Sequence, residues 1–84
     1  MEMVYLAITR EGLRKVLGTV VDTGAIVWCG ADAMTDQEFD EHRGANVSRF
    51  IYALESASDE VLAGAVDTVR DHHPTATIWI ESRA

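Results

Sequence analysis

The chain has few residues of several kinds, and each shortage excludes a class of protein. Only one of its 84 residues is a cysteine, so Cys29 cannot form an internal disulfide. A buried, reduced thiol in a cytoplasmic protein is the expectation. No apolar run reaches the roughly 18–20 residues that cross a bilayer, so we expect no contact with a membrane.

Basic residues are also scarce. The sequence has 7 Lys and Arg against 14 Asp and Glu, which gives a formal net charge of −7. Direct binding to nucleic acid is therefore not expected, because phosphate contacts need clustered Lys and Arg. An acidic chain is instead suited to a protein partner with a basic surface, which long-range attraction would steer towards it.

Motifs for cofactors, metals and catalysis are missing. Neither GxGxxG nor GxxxxGK occurs, so no nucleotide cofactor is expected. Carboxylates near His42 are more typical of a solvated helix face than of a metal site, and His72 and His73 are more typical of helix-end caps. No serine is predicted to lie near a histidine, so we assign no catalytic residue. The sequence favours a protein without enzymatic activity.

Apolar periodicity predicts seven elements. Strands are expected at Met3–Ile8, Ala25–Cys29, Ser48–Leu54 and Ala76–Glu81. Helices are expected from Arg10 to about Asp22, from a capping box at Thr35 to about Arg43, and from Asp59 to about His72. The alternating last strand is typical of a sheet edge or of a strand with one exposed face.

The order β-α-β-α-β-α-β in one small domain leaves two architectures open. A parallel four-stranded α/β sheet, with strand order 2-1-3-4 and helices on both faces, is favoured because three strands are apolar on both faces. The alternative is a ferredoxin-like α+β split unit with an antiparallel sheet. The chain must form a single domain, since 84 residues are too few for two cores.

A near-repeat accompanies both architectures. VLGTVVDT at residues 16–23 matches VLAGAVDT at 61–68, and each copy is flanked by strand-like runs. These runs extend the candidate repeat to residues 3–29 and 49–81. If the repeat reflects duplication, Leu17 and Leu62 should occupy equivalent core positions.

A parallel sheet would gather half of the acidic residues at one end, where the strands finish and the helices begin. Only Arg10 is expected to oppose them locally. We expect this acidic end, together with an aromatic residue on the last strand, to bind a partner. The candidate partner-binding residues are Glu11, Asp32, Asp36, Glu38, Glu55, Asp59, Glu60 and Trp79.

Three functional hypotheses follow. The first is a small, non-enzymatic protein-binding or regulatory module that presents its acidic end to a basic partner. The second is an inhibitor that imitates the charge of nucleic acid, as small phage proteins can. The third is a small enzyme or ligand sensor using a crevice between strands 1 and 3, with candidate residues Arg10, Cys29, Asp32 and Glu55. An uncovered Trp79 would also favour a homodimer formed through the last strand.

Overall fold

A computed structural model describes residues 2–20, 25–41 and 46–81. The strands are β1 (Met3–Ala7), β2 (Ile26–Cys29), β3 (Val47–Arg49) and β4 (Thr77–Ile80). The helices are α1 (Arg10–Val20), α2 (Asp36–Glu41) and α3 (Asp59–His72). Within these ranges, every helix is too short or too polar to traverse a lipid bilayer.

The strands form one parallel sheet, which confirms the α/β class. The ferredoxin-like alternative is wrong, because β1 pairs in parallel with β2 and β4, and β2 in parallel with β3. The order is β3-β2-β1-β4, so the expected order 2-1-3-4 is also wrong. The short connection through α2 places β3 beside β2, and the three half-buried residues of β3 suit an edge better than a central position.

Helices cover both faces of the sheet. The connections from β1 to β2 and from β2 to β3 both run towards the β3 edge of the sheet. The connection from β3 to β4, which contains α3, runs back to the opposite edge. Because parallel crossovers are right-handed, the return places α3 on the opposite face from α1 and α2. Each face has its own apolar cluster: Val4, Leu6 and Leu54 lie on the α3 side, and Leu13 and Val27 on the other.

Side-chain caps begin all three helices, and one of them is the capping box predicted at Thr35. The backbone N–H of Gly12 donates to Thr9 Oγ1 at 3.0 Å, and that of Val61 donates to Ser58 Oγ at 3.3 Å. Thr35 and Glu38 form the reciprocal capping box of α2. The predicted ends of the first two helices, at Asp22 and Arg43, lie outside the described residues.

The third strand is shorter than predicted. β3 ends at Arg49, and residues 50–54 form a loop rather than the second half of a strand. Phe50 and Leu54 are buried by this loop, whereas Ile51 between them is 96% exposed. Apolar composition alone does not distinguish such a loop from a strand that is buried on both faces.

The two candidate repeat units have different arrangements. β1 and β2 are neighbours joined through α1, whereas β3 and β4 lie at opposite edges of the sheet. Leu17 packs on the α1 side and Leu62 on the α3 side, and both are partly buried. The expected equivalence of the two leucines is therefore wrong, and duplication of the sequence stays a prediction.

Candidate protein-binding surface

The loop of residues 50–54 is held firmly against the end of β2. The N–H of Phe50 donates to the Cys29 carbonyl at 2.8 Å, and the N–H of Ala31 donates to the Tyr52 carbonyl at 3.0 Å. The N–H of Leu54 donates to Asp32 Oδ1 at 3.2 Å. With Phe50 and Leu54 buried as anchors, the residues between them are presented by a fixed backbone.

Gly30 allows this close approach of the two loops. A Cβ at Gly30 would lie 2.9 Å from the backbone nitrogen of Leu54 and 2.9 Å from Asp32 Oδ1. Contacts that short are sterically forbidden, so the absence of a side chain here brings the loops together. Asp32, a predicted partner-binding residue, therefore has a structural role as the acceptor for Leu54.

The loop and the start of α3 enclose an apolar groove of about 450 Å³. Tyr52 is 37% exposed and Val61 is 40% exposed, and Ile51 projects from the same loop. Exposed apolar side chains gathered on one surface are typical of a binding site. The groove is lined by Tyr52, Ala53, Ala57, Val61 and Gly64.

Acidic side chains border this groove. Glu55 follows the loop directly, and Asp59 and Glu60 form the first turn of α3 immediately before Val61. All three residues are exposed. An apolar centre with a charged border is the usual anatomy of a protein–protein interface.

Three of the other predicted acidic residues, at the same end of the sheet, have basic partners. Glu38 pairs with Arg10, Asp36 with Arg49, and Glu11 with Lys15. The expectation that Arg10 alone opposes the acidic end is therefore wrong.

The predicted crevice between strands 1 and 3 does not form, because β2 lies between them. Arg10 is engaged with Glu38, and Asp32 with Leu54. Cys29 is fully buried, and burial raises the pKa of its thiol to about 11, although Arg49 acts in the opposite direction. A thiol with that pKa is a poor nucleophile at neutral pH.

The crossover direction reverses between β1 and β4, and parallel sheets commonly bind ligands at such a point. Here the carboxylate of Glu81 occupies the position beside the amino end of α1. It accepts hydrogen bonds from the N–H of Ile8 at 2.6 Å, from the N–H of Thr9 at 2.8 Å and from the Thr9 hydroxyl. An anionic ligand could bind these donors only by displacing Glu81.

Sequence reasoning missed Glu81 and Ile51. Glu81 is the last residue of the predicted strand Ala76–Glu81, and Ile51 lies within the predicted strand Ser48–Leu54. Gly12 is a signal that could have pointed to Glu81, since a Cβ there would collide with the Glu81 carboxylate. Trp79 itself lies on β4 and is 57% exposed.

No group of three His, Cys, Asp or Glu side chains converges on a metal-binding geometry within residues 2–20, 25–41 and 46–81. Comparison of the chain with models of protein families, with curated proteins and with solved structures finds no match.

Proposed function

We propose that this protein is a non-enzymatic binding module that recognises a protein segment carrying apolar residues flanked by basic ones. The observation that supports it most directly is the 96% exposure of Ile51 on a loop held by backbone hydrogen bonds. Exposing a large apolar side chain on a fixed backbone is unfavourable for an isolated domain. Binding a partner there would bury it with little loss of backbone entropy.

Charge selects the kind of partner. Glu55, Asp59 and Glu60 border the groove, and the whole chain carries a net charge of −7. Basic residues beside an apolar anchor would meet these carboxylates, and attraction between them would speed association. The ion pairs made by Asp36 and Glu38 favour this local recognition over imitation of a nucleic acid, which requires charge spread across a wide surface.

A cross-linking experiment tests the proposal. A photoreactive amino acid at position 51 should capture a partner from the native host, and the purified partner can then be used for kinetic measurements. Reversing the border charges with Glu55→Lys, Asp59→Lys and Glu60→Lys together should slow its association and remove most of the dependence on ionic strength above ~0.1 M.

The matched control reverses three exposed acidic residues that do not line the groove, with Asp40→Lys, Glu41→Lys and Asp71→Lys together. Both triple variants have the same net charge, so the comparison separates a local border from a general acidic field. Equal association rates for the two variants would contradict recognition at the groove. Retention of full affinity by Ile51→Ser would contradict the role of the apolar anchor.

A further inference from the structure

β4 is an edge strand of the sheet that residues 2–20, 25–41 and 46–81 form. The N–H of Thr77 donates to the Glu2 carbonyl and the N–H of Glu81 donates to the Leu6 carbonyl, both at 3.0 Å. Backbone groups alternate in direction along a strand, so the N–H and C=O groups of Ile78 and Ile80 point away from β1, towards the open edge. These groups can pair with a further strand.

The two edges of the sheet differ in how they are protected. β3 has three residues, and its last residue, Arg49, makes an ion pair with Asp36. Short strands and charged side chains are the usual protection of an edge. β4 reads Thr-Ile-Trp-Ile and has neither a charge nor a proline, and Trp79 and Ile80 are 57% and 47% exposed.

We propose that two copies of this chain associate by antiparallel pairing of β4 with β4, about a two-fold axis at Trp79. The outward backbone groups determine this register. Ile78 of each copy exchanges hydrogen bonds with Ile80 of the other, which places the two Trp79 residues directly opposite each other in a non-hydrogen-bonded pair. The result is one continuous sheet across both copies.

The side chains fit this register on both faces. Opposed residues of an antiparallel pair point to the same face, so the two indole rings meet on the α1 side, where Tyr5 is the β1 neighbour of Trp79. On the α3 side, Ile80 of the second copy lies beside Ile78. A cavity of about 340 Å³ lies next to Ile78 and can accept that side chain; it is lined by Arg70, His73, Pro74, Ala76 and Ile78.

The self-complementary register of β4, together with the position of Arg70, favours a second copy as the occupant. The axis makes the two α3 helices antiparallel on the same face of the joined sheet. The first turn of one, with Asp59 and Glu60, then lies at the same end as the last turn of the other, where Arg70 stands beside Asp71. The residue opposite Thr77 is Glu81, whose carboxylate is directed into its own chain towards Thr9.

Two substitutions at one position test the backbone pairing. The N–H of Ile80 points away from β1, so Ile80→Pro should leave the fold intact by circular dichroism. It should nevertheless give the monomer mass of 9.2 kDa in sedimentation equilibrium, where the wild type gives twice that mass. Ile80→Ala retains the N–H and should still dimerise.

A second pair of variants tests how much the Trp79 side chain contributes to the stability of the dimer. Trp79→Glu should raise the dissociation constant of the dimer by at least about 30-fold, because it removes a central aromatic contact and introduces facing charges. Ile51→Glu, which changes another exposed apolar residue, should leave the dimer unchanged. A wild type that remains monomeric up to millimolar concentration, or an Ile80→Pro variant that dimerises normally, would overturn the proposal.

Cysteine cross-linking tests the register. A Trp79→Cys pair would have Cα atoms about 4.5 Å apart, which suits a disulfide. Under oxidation it should form a covalent dimer, whereas Thr77→Cys should not, since position 77 faces position 81. Equal cross-linking of the two variants would exclude this register. Ile51 takes no part in this register, so failure of the dimer would not affect the proposed function.

Discussion

Glu81 links the carboxyl end of β4 to the beginning of α1. Its carboxylate supplies the negative charge that the amino end of a helix attracts. Burial alone would raise the pKa of Glu81, but hydrogen bonds from the Thr9 hydroxyl and from the N–H groups of Thr9 and Ile8 outweigh it and lower the pKa. This one side chain therefore stabilises the junction of two elements that lie far apart in the sequence.

Gly12 and Gly18 are both in α1, and substitution by alanine should have opposite effects. A Cβ at Gly12 would meet the Glu81 carboxylate, whereas nothing lies within 4 Å of one at Gly18. Gly12→Ala should lower the free energy of unfolding by about 1–3 kcal/mol through lost hydrogen bonds. Gly18→Ala should raise it by up to about 1 kcal/mol through helix propensity. Urea denaturation of both variants checks the signs, and a stabilised Gly12→Ala would contradict the contact.

The lowered pKa of Glu81 predicts a pH dependence of stability. The folded state binds a proton at Glu81 less readily than the unfolded chain does, so its contribution is fully present above the usual pKa of 4.5 and is lost as pH falls below it. Glu81→Gln should be less stable at pH 7 and show a flatter decline below pH 4.5. Glu41→Gln is the control. Parallel pH profiles for wild type and Glu81→Gln would contradict the prediction.

The helices and strands that the sequence predicts correctly are those whose ends or exposed faces are marked by nearby residues. The bounds of α3 agree with the sequence analysis because Ser58 marks its start and Pro74 follows its end. The alternating pattern of β4 is typical of an edge or of a strand with one exposed face, and β4 is an edge strand. The end of β3 was not predictable, because the burial of Phe50 and Leu54 depends on loop contacts with Ala31 and Asp32 that no local pattern records.

The candidate protein-binding surface was likewise predictable only where it depends on local sequence features. Its acidic border at Glu55, Asp59 and Glu60 was recognisable from the sequence, since helix starts and strand ends are local features. Its apolar residues were not, because Ile51 and Tyr52 are expected in a strand and the structure places them in a loop. The sequence analysis therefore identified the charge of the surface but not the groove that the charge borders.

The packing of α1 predicts how much stability each of its two leucines contributes. Leu13 is 1% exposed and Leu17 is partly buried, although both lie on the apolar stripe of the helix. Leu13→Ala should cost about 2–5 kcal/mol of unfolding free energy, and Leu17→Ala should cost less because its site is already partly open. Denaturant midpoints would measure the difference. A larger loss in Leu17→Ala would show that the helix packs through its other end.

The order of the strands determines which residues lie at the centre of the molecule. The sequence predicts that β1 and β2 are covered on both faces. Strand order, however, depends on which strand each crossover connection places next to which, and apolar periodicity does not determine this. β1 and β2 occupy the centre, and Cys29 at the end of β2 is fully buried. The thiol is therefore a probe of the entire fold.

Alkylation of Cys29 should report global unfolding. With a pKa of about 11 and no exposure, the native thiol should resist iodoacetamide at pH 8, and the rate should rise with denaturant in parallel with unfolding. A variant with an introduced exposed cysteine, Ile51→Cys, provides the fast reference rate. Rapid modification of Cys29 in the native protein would mean that β2 opens locally.

The pairing of β1 with β4 has a consequence for biosynthesis. β1 is central, yet one of its two neighbours, β4, is among the last residues described, and Glu81 returns to Ile8 and Thr9. A chain emerging from the ribosome cannot complete this sheet until residue 81 has left the exit tunnel. Until then β1 carries an unpaired edge and exposed apolar side chains, which are the features that chaperones recognise and that promote aggregation. The pairing of β1 with β4 is therefore expected to be a late step of folding, because it requires residue 81 to be outside the tunnel.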